Sequence, residues 1–195
     1  MKKLLIVLLS LLVSGIGTLY AADNSPNNSR KGVLKMNKKV LIAYFSATGN
    51  TKRVAENLAK VTGGDLYEIK PLNTYTNADL DWTNDKSRSS VEMKDLKFRP
   101  EMAKDDFSIK EYDEIFLGFP IWWYIAPTIV NTFLEKHDFS NKTIILFATS
   151  GGSPFGKTLE HLKPSVSDTT KIIEGDILNH NPDEEKLKAW VETFK

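Results

Sequence analysis

Val40-Leu41-Ile42-Ala43-Tyr44-Phe45-Ser46-Ala47-Thr48-Gly49-Asn50-Thr51 is the stretch on which the fold turns. Its first six residues form an unbroken apolar run, as expected of a β-strand covered on both faces. From Thr51 to Val61 the pattern changes: Val54, Ala55, Leu58, Ala59 and Val61 recur at helical spacing, and Gly63-Gly64 ends the helix. The six residues between strand and helix hold three hydroxyls, an amide and a glycine. Free N–H groups at a helix start, together with the helix dipole, favour an anion. Hydroxyls add donors without charge, and Gly49 lets the backbone turn tightly and approach closely. A terminal phosphate monoester suits this loop. A helix cap formed by Asn50 or Ser46 is the competing explanation, and it accounts for one residue of the set.

The alternation continues outward from there. Leu66 to Ile69 reads as a second strand, Ile115 to Gly118 as a third, Thr143 to Ala148 as a fourth and Lys171 to Ile173 as a fifth, broken early by Gly175 and Asp176. Helices are expected from Pro127, as first residue, to Leu134, from Thr158 to Leu162, and from Asp183 to Phe194. Pro127 suits a helix start because its missing N–H would have had no partner there. Pro71 to Pro100 is a long polar insertion with Tyr75 and Trp82, helical around Asp81 to Met93, and too long for an idle connection. Strand–helix alternation without repeats argues for a parallel sheet with helices on both faces. Ligands of such sheets bind at the carboxyl ends of the strands.

Two further loops therefore matter. After strand three comes Gly118-Phe119-Pro120-Ile121-Trp122-Trp123-Tyr124-Ile125-Ala126-Pro127. Adjacent residues cannot share one face of a strand or helix, so at least one of the three aromatics should face the cleft, where a flat ring could stack on it. The alternative is a hydrophobic plug over the sheet end. After strand four, Thr149 to Gly156 includes Ser150, Gly151 and Gly152, whose backbone could meet a ring edge-on. Gly151 to Thr158 also matches G-x-x-x-x-G-K-[ST], a triphosphate-binding pattern. Pro154 lacks an N–H inside that loop, and no apolar strand ending in Asp follows, both of which count against it.

The chain has 195 residues, enough for one domain and a short leader. Its net charge is +1, so nothing directs it to nucleic acid. With no cysteine, disulfides, thiolate metal sites and thiol nucleophiles are excluded. Lys2 and Lys3, the apolar run Leu4 to Val13, and Ala21-Ala22 read as a signal peptide over residues 1–22. Export to a periplasmic or other extracytoplasmic space follows, with membrane contact only through an uncleaved leader. Residues 23–38 read as a flexible tether. Translation from Met36 would instead give a cytoplasmic form.

At Tyr44 to Thr51, Gly118 to Trp123 and Thr149 to Ser153 the chain resembles the flavodoxin-like family, in its short and often exported branch. The resemblance covers roughly residues 38–195, with the domain taken as 39–195. It implies a doubly wound three-layer α/β/α sandwich with a five-stranded parallel sheet of order 2-1-3-4-5 and FMN at the strands' carboxyl ends. By that likeness Ser46, Thr48, Gly49, Asn50 and Thr51 hold the phosphate. Pro120, Ile121, Trp122, Trp123 and Tyr124 lie along the ribityl chain and ring, with Trp122 or Trp123 stacked on it. Ser150, Gly151 and Gly152 border the ring's polar edge. The function implied is electron transfer with an unnamed redox partner protein. The alternatives are an FMN-dependent NAD(P)H:quinone-type oxidoreductase and a non-redox binding protein. No catalytic or metal-binding residue stands out; His137, His161 and His180 are scattered and read as surface or capping residues.

Overall fold

The computed structural model describes residues 38–195 apart from Asp105 and Asn181. The expected signal peptide, and the tether apart from Lys38, lie outside the described residues. Five parallel strands, β1 (Val40–Tyr44), β2 (Asp65–Glu68), β3 (Glu114–Pro120), β4 (Thr143–Thr149) and β5 (Lys171–Ile177), form one sheet in the order β2-β1-β3-β4-β5. Helices α1 (Asn50–Thr62), α2 (Arg88–Lys94), α3 (Thr128–Lys136), α4 (Thr158–Leu162) and α5 (Glu184–Glu192) connect or flank them.

Strand alternation divides the core into two layers. Leu41 and Ala43 of β1 pack with Ile129, Val130, Phe133 and Leu162 from α3 and α4. Ile42 and Tyr44 face the other way, against Val54, Ala55 and Leu58 of α1 and Leu187 and Val191 of α5. This is the expected three-layer architecture. The sheet's carboxyl edge then collects the loops after β1, β3, β4 and β5 at one end.

Several boundaries differ from expectation. β3 runs two residues further, so Pro120 ends the strand and pairs with Thr149. Pro127 stands just before α3 and not inside it. β5 does not break at Gly175: a bulge there lets it continue to Ile177. A side chain at Gly175 would lie 2.1 Å from the Leu146 carbonyl oxygen, so the bulge requires glycine. The insertion's helix is the shorter α2, started by Ser87, whose hydroxyl accepts from the Ser90 N–H. An antiparallel bridge between Pro71 and Met102 closes the insertion's base.

Candidate functional site

The loop after β1 enters α1 through Gly49, whose φ of 84° is left-handed, with open space where a side chain would project. No side chain caps the helix, and its first turn holds no acid. The cap reading of Asn50 and Ser46 is therefore overturned. The amides at the start of α1 have no carbonyl partner one turn back, which leaves them for an incoming acceptor. Asn50 instead braces the loop sideways: its Nδ2 donates to Thr48 Oγ1 at 3.2 Å, and its Oδ1 accepts from Arg53 Nη2 at 2.5 Å. The Ser46 hydroxyl is buried and has no hydrogen-bond partner. The Thr51 side chain is buried, with its hydroxyl 2.9 Å from that of Thr149.

The loop after β3 is a two-residue hairpin turn. Trp122 and Ile125 exchange both backbone hydrogen bonds, at 2.9 and 3.1 Å. Trp123 and Tyr124 between them have φ of 45° and 65°. These are type I′ values, a geometry that normally selects Asn-Gly. The turn separates the three aromatics by role. Trp122 faces inward, edge-to-face with Phe45 and Tyr75 at 5.6 and 5.3 Å. Trp123 and Tyr124 are thrust outward, 44% and 61% exposed.

The loop after β4 has two of its first three amides committed. The Ser150 amide donates to Asn179 Oδ1 at 2.9 Å, and the Gly152 amide to Ser150 Oγ at 3.1 Å. Of the three, Gly151 is left with an uncommitted N–H. Gly156, at φ 53°, backs onto the hairpin: a Cβ there would stand 2.3 Å from the Tyr124 carbonyl oxygen. The triphosphate pattern fails here for a physical reason. Thr158, whose hydroxyl would have to reach a metal ion, is fully buried and donates to the Phe155 carbonyl at 2.6 Å.

Two recesses open around these loops and share Thr48, Pro120, Ile121, Trp122 and Gly151 as walls. One, of about 940 Å³, is polar, with Asn50, Arg53, Ser150, Gly152, Asn179 and His180. The other, of about 600 Å³, is bounded by Trp123, Tyr124 and Ser153 on one side and by Leu80, Trp82 and Ser89 of the insertion on the other. The recesses thus bring together members of all three groups of candidate residues, while Ser46 and Gly49 line neither. Arg53, Asn179, His180, Leu80 and Ser89 were not anticipated. Arg53 lies one helical turn from Asn50, the spacing that could have revealed it.

A buried cluster positions the insertion. Tyr75 donates to Glu92 at 2.5 Å, Arg88 donates to Glu92 at 2.6 Å, and the Arg88 guanidinium lies 4.0 Å from the centre of the Tyr75 ring. Burial first, and then the Glu92 carboxylate, push the Tyr75 phenol far above its ordinary range, so it stays a donor. Among the described residues no group of His, Asp and Glu side chains could hold a metal ion. No described helix is long and apolar enough to cross a membrane.

A family model described as flavodoxin matches residues 39–194. The chain belongs to the flavodoxin family. Among solved structures, a candidate flavoprotein from Bacteroides eggerthii is 50% identical, covering 80% of this chain and 98% of that one with a TM-score of 0.75. A second, from Bacteroides uniformis, is 46% identical with the same coverage and a TM-score of 0.74. A Lactobacillus acidophilus flavoprotein solved in complex with FMN is 24% identical over 79% of this chain and 99% of its own, with a TM-score of 0.58. At that distance the likeness is one of fold alone. No curated protein matches the chain.

Proposed function

We propose that the chain binds FMN and serves as an electron carrier. The observation that carries the reading is the buried, unpartnered Ser46 hydroxyl beside the uncapped start of α1. A buried hydroxyl without a partner is costly, and a phosphate oxygen is the acceptor that would satisfy it. The Thr48 hydroxyl, the first amides of α1 and the Arg53 guanidinium complete a donor set suited to a phosphate dianion. The likeness to flavoproteins supports the same assignment.

Bound FMN supplies one- and two-electron redox chemistry; the chain binds, orients and tunes it. Trp122, fixed by Phe45 and Tyr75, and Trp123, held outward by its turn, are the indoles offered to the isoalloxazine. An apolar aromatic beside the ring disfavours additional negative charge there, which makes the flavin more reducing. The Gly151 amide, left free by its neighbours, is the backbone donor available to the ring's polar edge. The visible absorption spectrum of the purified full chain tests the assignment. Flavin bands that stay with the protein through gel filtration are expected, and a colourless chain that takes up no FMN would contradict it.

The basic, apolar and small-residue segments of residues 1–22 support export of this carrier, so its redox partner would lie outside the cytoplasm. Amino-terminal sequencing of the secreted fraction should begin at Ala22 or Asp23; a start at Met36 in the cytosol would refute export.

A further inference from the structure

We propose that Glu92 of the insertion is a positioning residue for the flavin site: acting through Tyr75, it fixes the indole of Trp122 that meets the isoalloxazine. The proposal rests on the FMN reading for what the indole does. How the indole is held is a property of the chain alone.

Phe45, Tyr75 and Trp122 touch one another edge-on in a closed trio. Ring centres lie 5.8 Å apart for Phe45 and Tyr75, 5.6 Å for Phe45 and Trp122, and 5.3 Å for Tyr75 and Trp122. The ring planes cross at 64°, 86° and 82°. Edge-to-face contacts prefer particular orientations, so two fixed rings set the third. Phe45 is fixed by the sheet: it follows β1 directly, is 1% exposed, and its amide donates to the Gly118 carbonyl at 2.9 Å. Tyr75 has no strand behind it, since it lies in the insertion between the Pro71 bridge and α2. Its pose has to be set by side chains.

Glu92 sets it. The Glu92 side chain is 6% exposed, and each carboxylate oxygen accepts one bond. Oε2 takes the Tyr75 hydroxyl at 2.5 Å and Oε1 takes Arg88 Nε at 2.6 Å. Arg88 then returns to the same ring. Its guanidinium lies 4.0 Å from the centre of the Tyr75 ring, and its Nη1 donates to the Asn73 carbonyl at 2.7 Å. The phenol is held at its oxygen by Glu92 and against its ring by Arg88, which leaves it one pose beside Trp122. Anchoring the insertion does not require this arrangement. Apolar residues of similar volume hold a segment about as well as a buried ion pair, whose attraction is largely offset by desolvation. A hydrogen-bonded carboxylate adds direction, and direction is what an aromatic support for a bound ring needs.

The test uses the full chain with Tyr75→Phe and, separately, Glu92→Gln. In flavin-free protein, the near-ultraviolet circular dichroism of Trp122 is obtained by subtracting the spectrum of the same chain carrying Trp122→Phe. Both variants should lose most of this band. With FMN bound, both should hold the flavin about three-fold to ten-fold more weakly, the range for one hydrogen bond. Both should also raise the potential for full reduction, because a loosened indole admits water to the ring. Tyr75→Phe keeps every charge in place, so its shift separates orientation from the loss of the carboxylate. Tyr75→Phe also decides alone if Glu92→Gln fails to fold. A full Trp122 band in folded Tyr75→Phe would overturn the proposal, and so would a potential that moves in Glu92→Gln only. A chain that takes up no FMN would refute the cofactor reading, while the dichroism would still decide how Trp122 is held.

Discussion

The loops after β1 and β3 both bend the chain through left-handed backbone, by opposite means. At Gly49 the left-handed residue is a glycine with empty space around it. At Trp123 and Tyr124 it is two bulky aromatics in succession. A non-glycine residue in this region carries roughly 1–3 kcal/mol of strain. The first loop works through its backbone, so a residue without a side chain suits it. The second holds two rings outward at a cost in stability, where Asn-Gly would have turned the chain with less strain.

The largest expected effect comes from breaking the support behind the second loop. Gly156→Ala places a methyl group 2.3 Å from the Tyr124 carbonyl oxygen at a φ of 53°. It should destabilise the fold by about 2–3 kcal/mol in urea denaturation, as overpacking at a closed site does. An unchanged midpoint would show that the hairpin is not braced by this contact.

Next in size is the first loop's side-chain donor. Ser46→Ala should weaken FMN by roughly ten-fold to a hundred-fold, the value of a hydrogen bond to a charged group. Because the hydroxyl has no partner in the free protein, apoprotein stability should stay level or rise slightly. A drop in apoprotein stability with FMN affinity intact would reverse the assignment.

The comparison itself is tested by replacing the strained pair. Trp123→Asn combined with Tyr124→Gly should raise apoprotein stability by about 1–2 kcal/mol by relieving the turn. It should also weaken FMN binding. Higher stability with undiminished affinity would mean that Trp123 and Tyr124 do not serve the cofactor.

How much of this was legible in the sequence follows the same division. Backbone-driven features read well. The apolar run of β1, the helical stripe of α1 and the turn at Gly63 placed the sheet and its first loop. Residues of the loops after β1, β3 and β4 were also legible as cleft candidates, whereas Asn179 and His180, which follow β5, were not. What escaped depended on long-range packing. Arg53 looks like any exposed helix cation until Asn50 is seen to accept from it. Asn179 matters only because it takes the Ser150 amide, 29 positions away. Gly175 reads as a strand breaker and is a bulge, since its pairing with β4 cannot be seen locally. Aromatics at φ above zero contradict local preference, so no pattern would have forecast the hairpin.

The smallest effect lies away from both loops. His161 is half-buried, and burial first, then Arg99, hold its imidazole below the ordinary value of 6.5; Glu135 opposes this. The folded chain therefore binds the proton less readily than the unfolded one. Stability should fall as pH drops below 6.5, and it should be fully present above that value. His161→Gln should flatten this part of the pH profile while FMN affinity stays unchanged. A slope that survives the substitution would assign it to another group.

The central claim is that the Ser46–Thr51 loop grips the phosphate of FMN while the tryptophans after β3 meet its ring. Titrating FMN with the folded, flavin-free full chain, and following flavin fluorescence, tests both halves together. The account predicts saturable quenching with one FMN per chain, and loss of that quenching when riboflavin, which lacks the phosphate, replaces FMN at the same concentration. Fluorescence that stays at full intensity, or riboflavin that quenches as well as FMN, would contradict it.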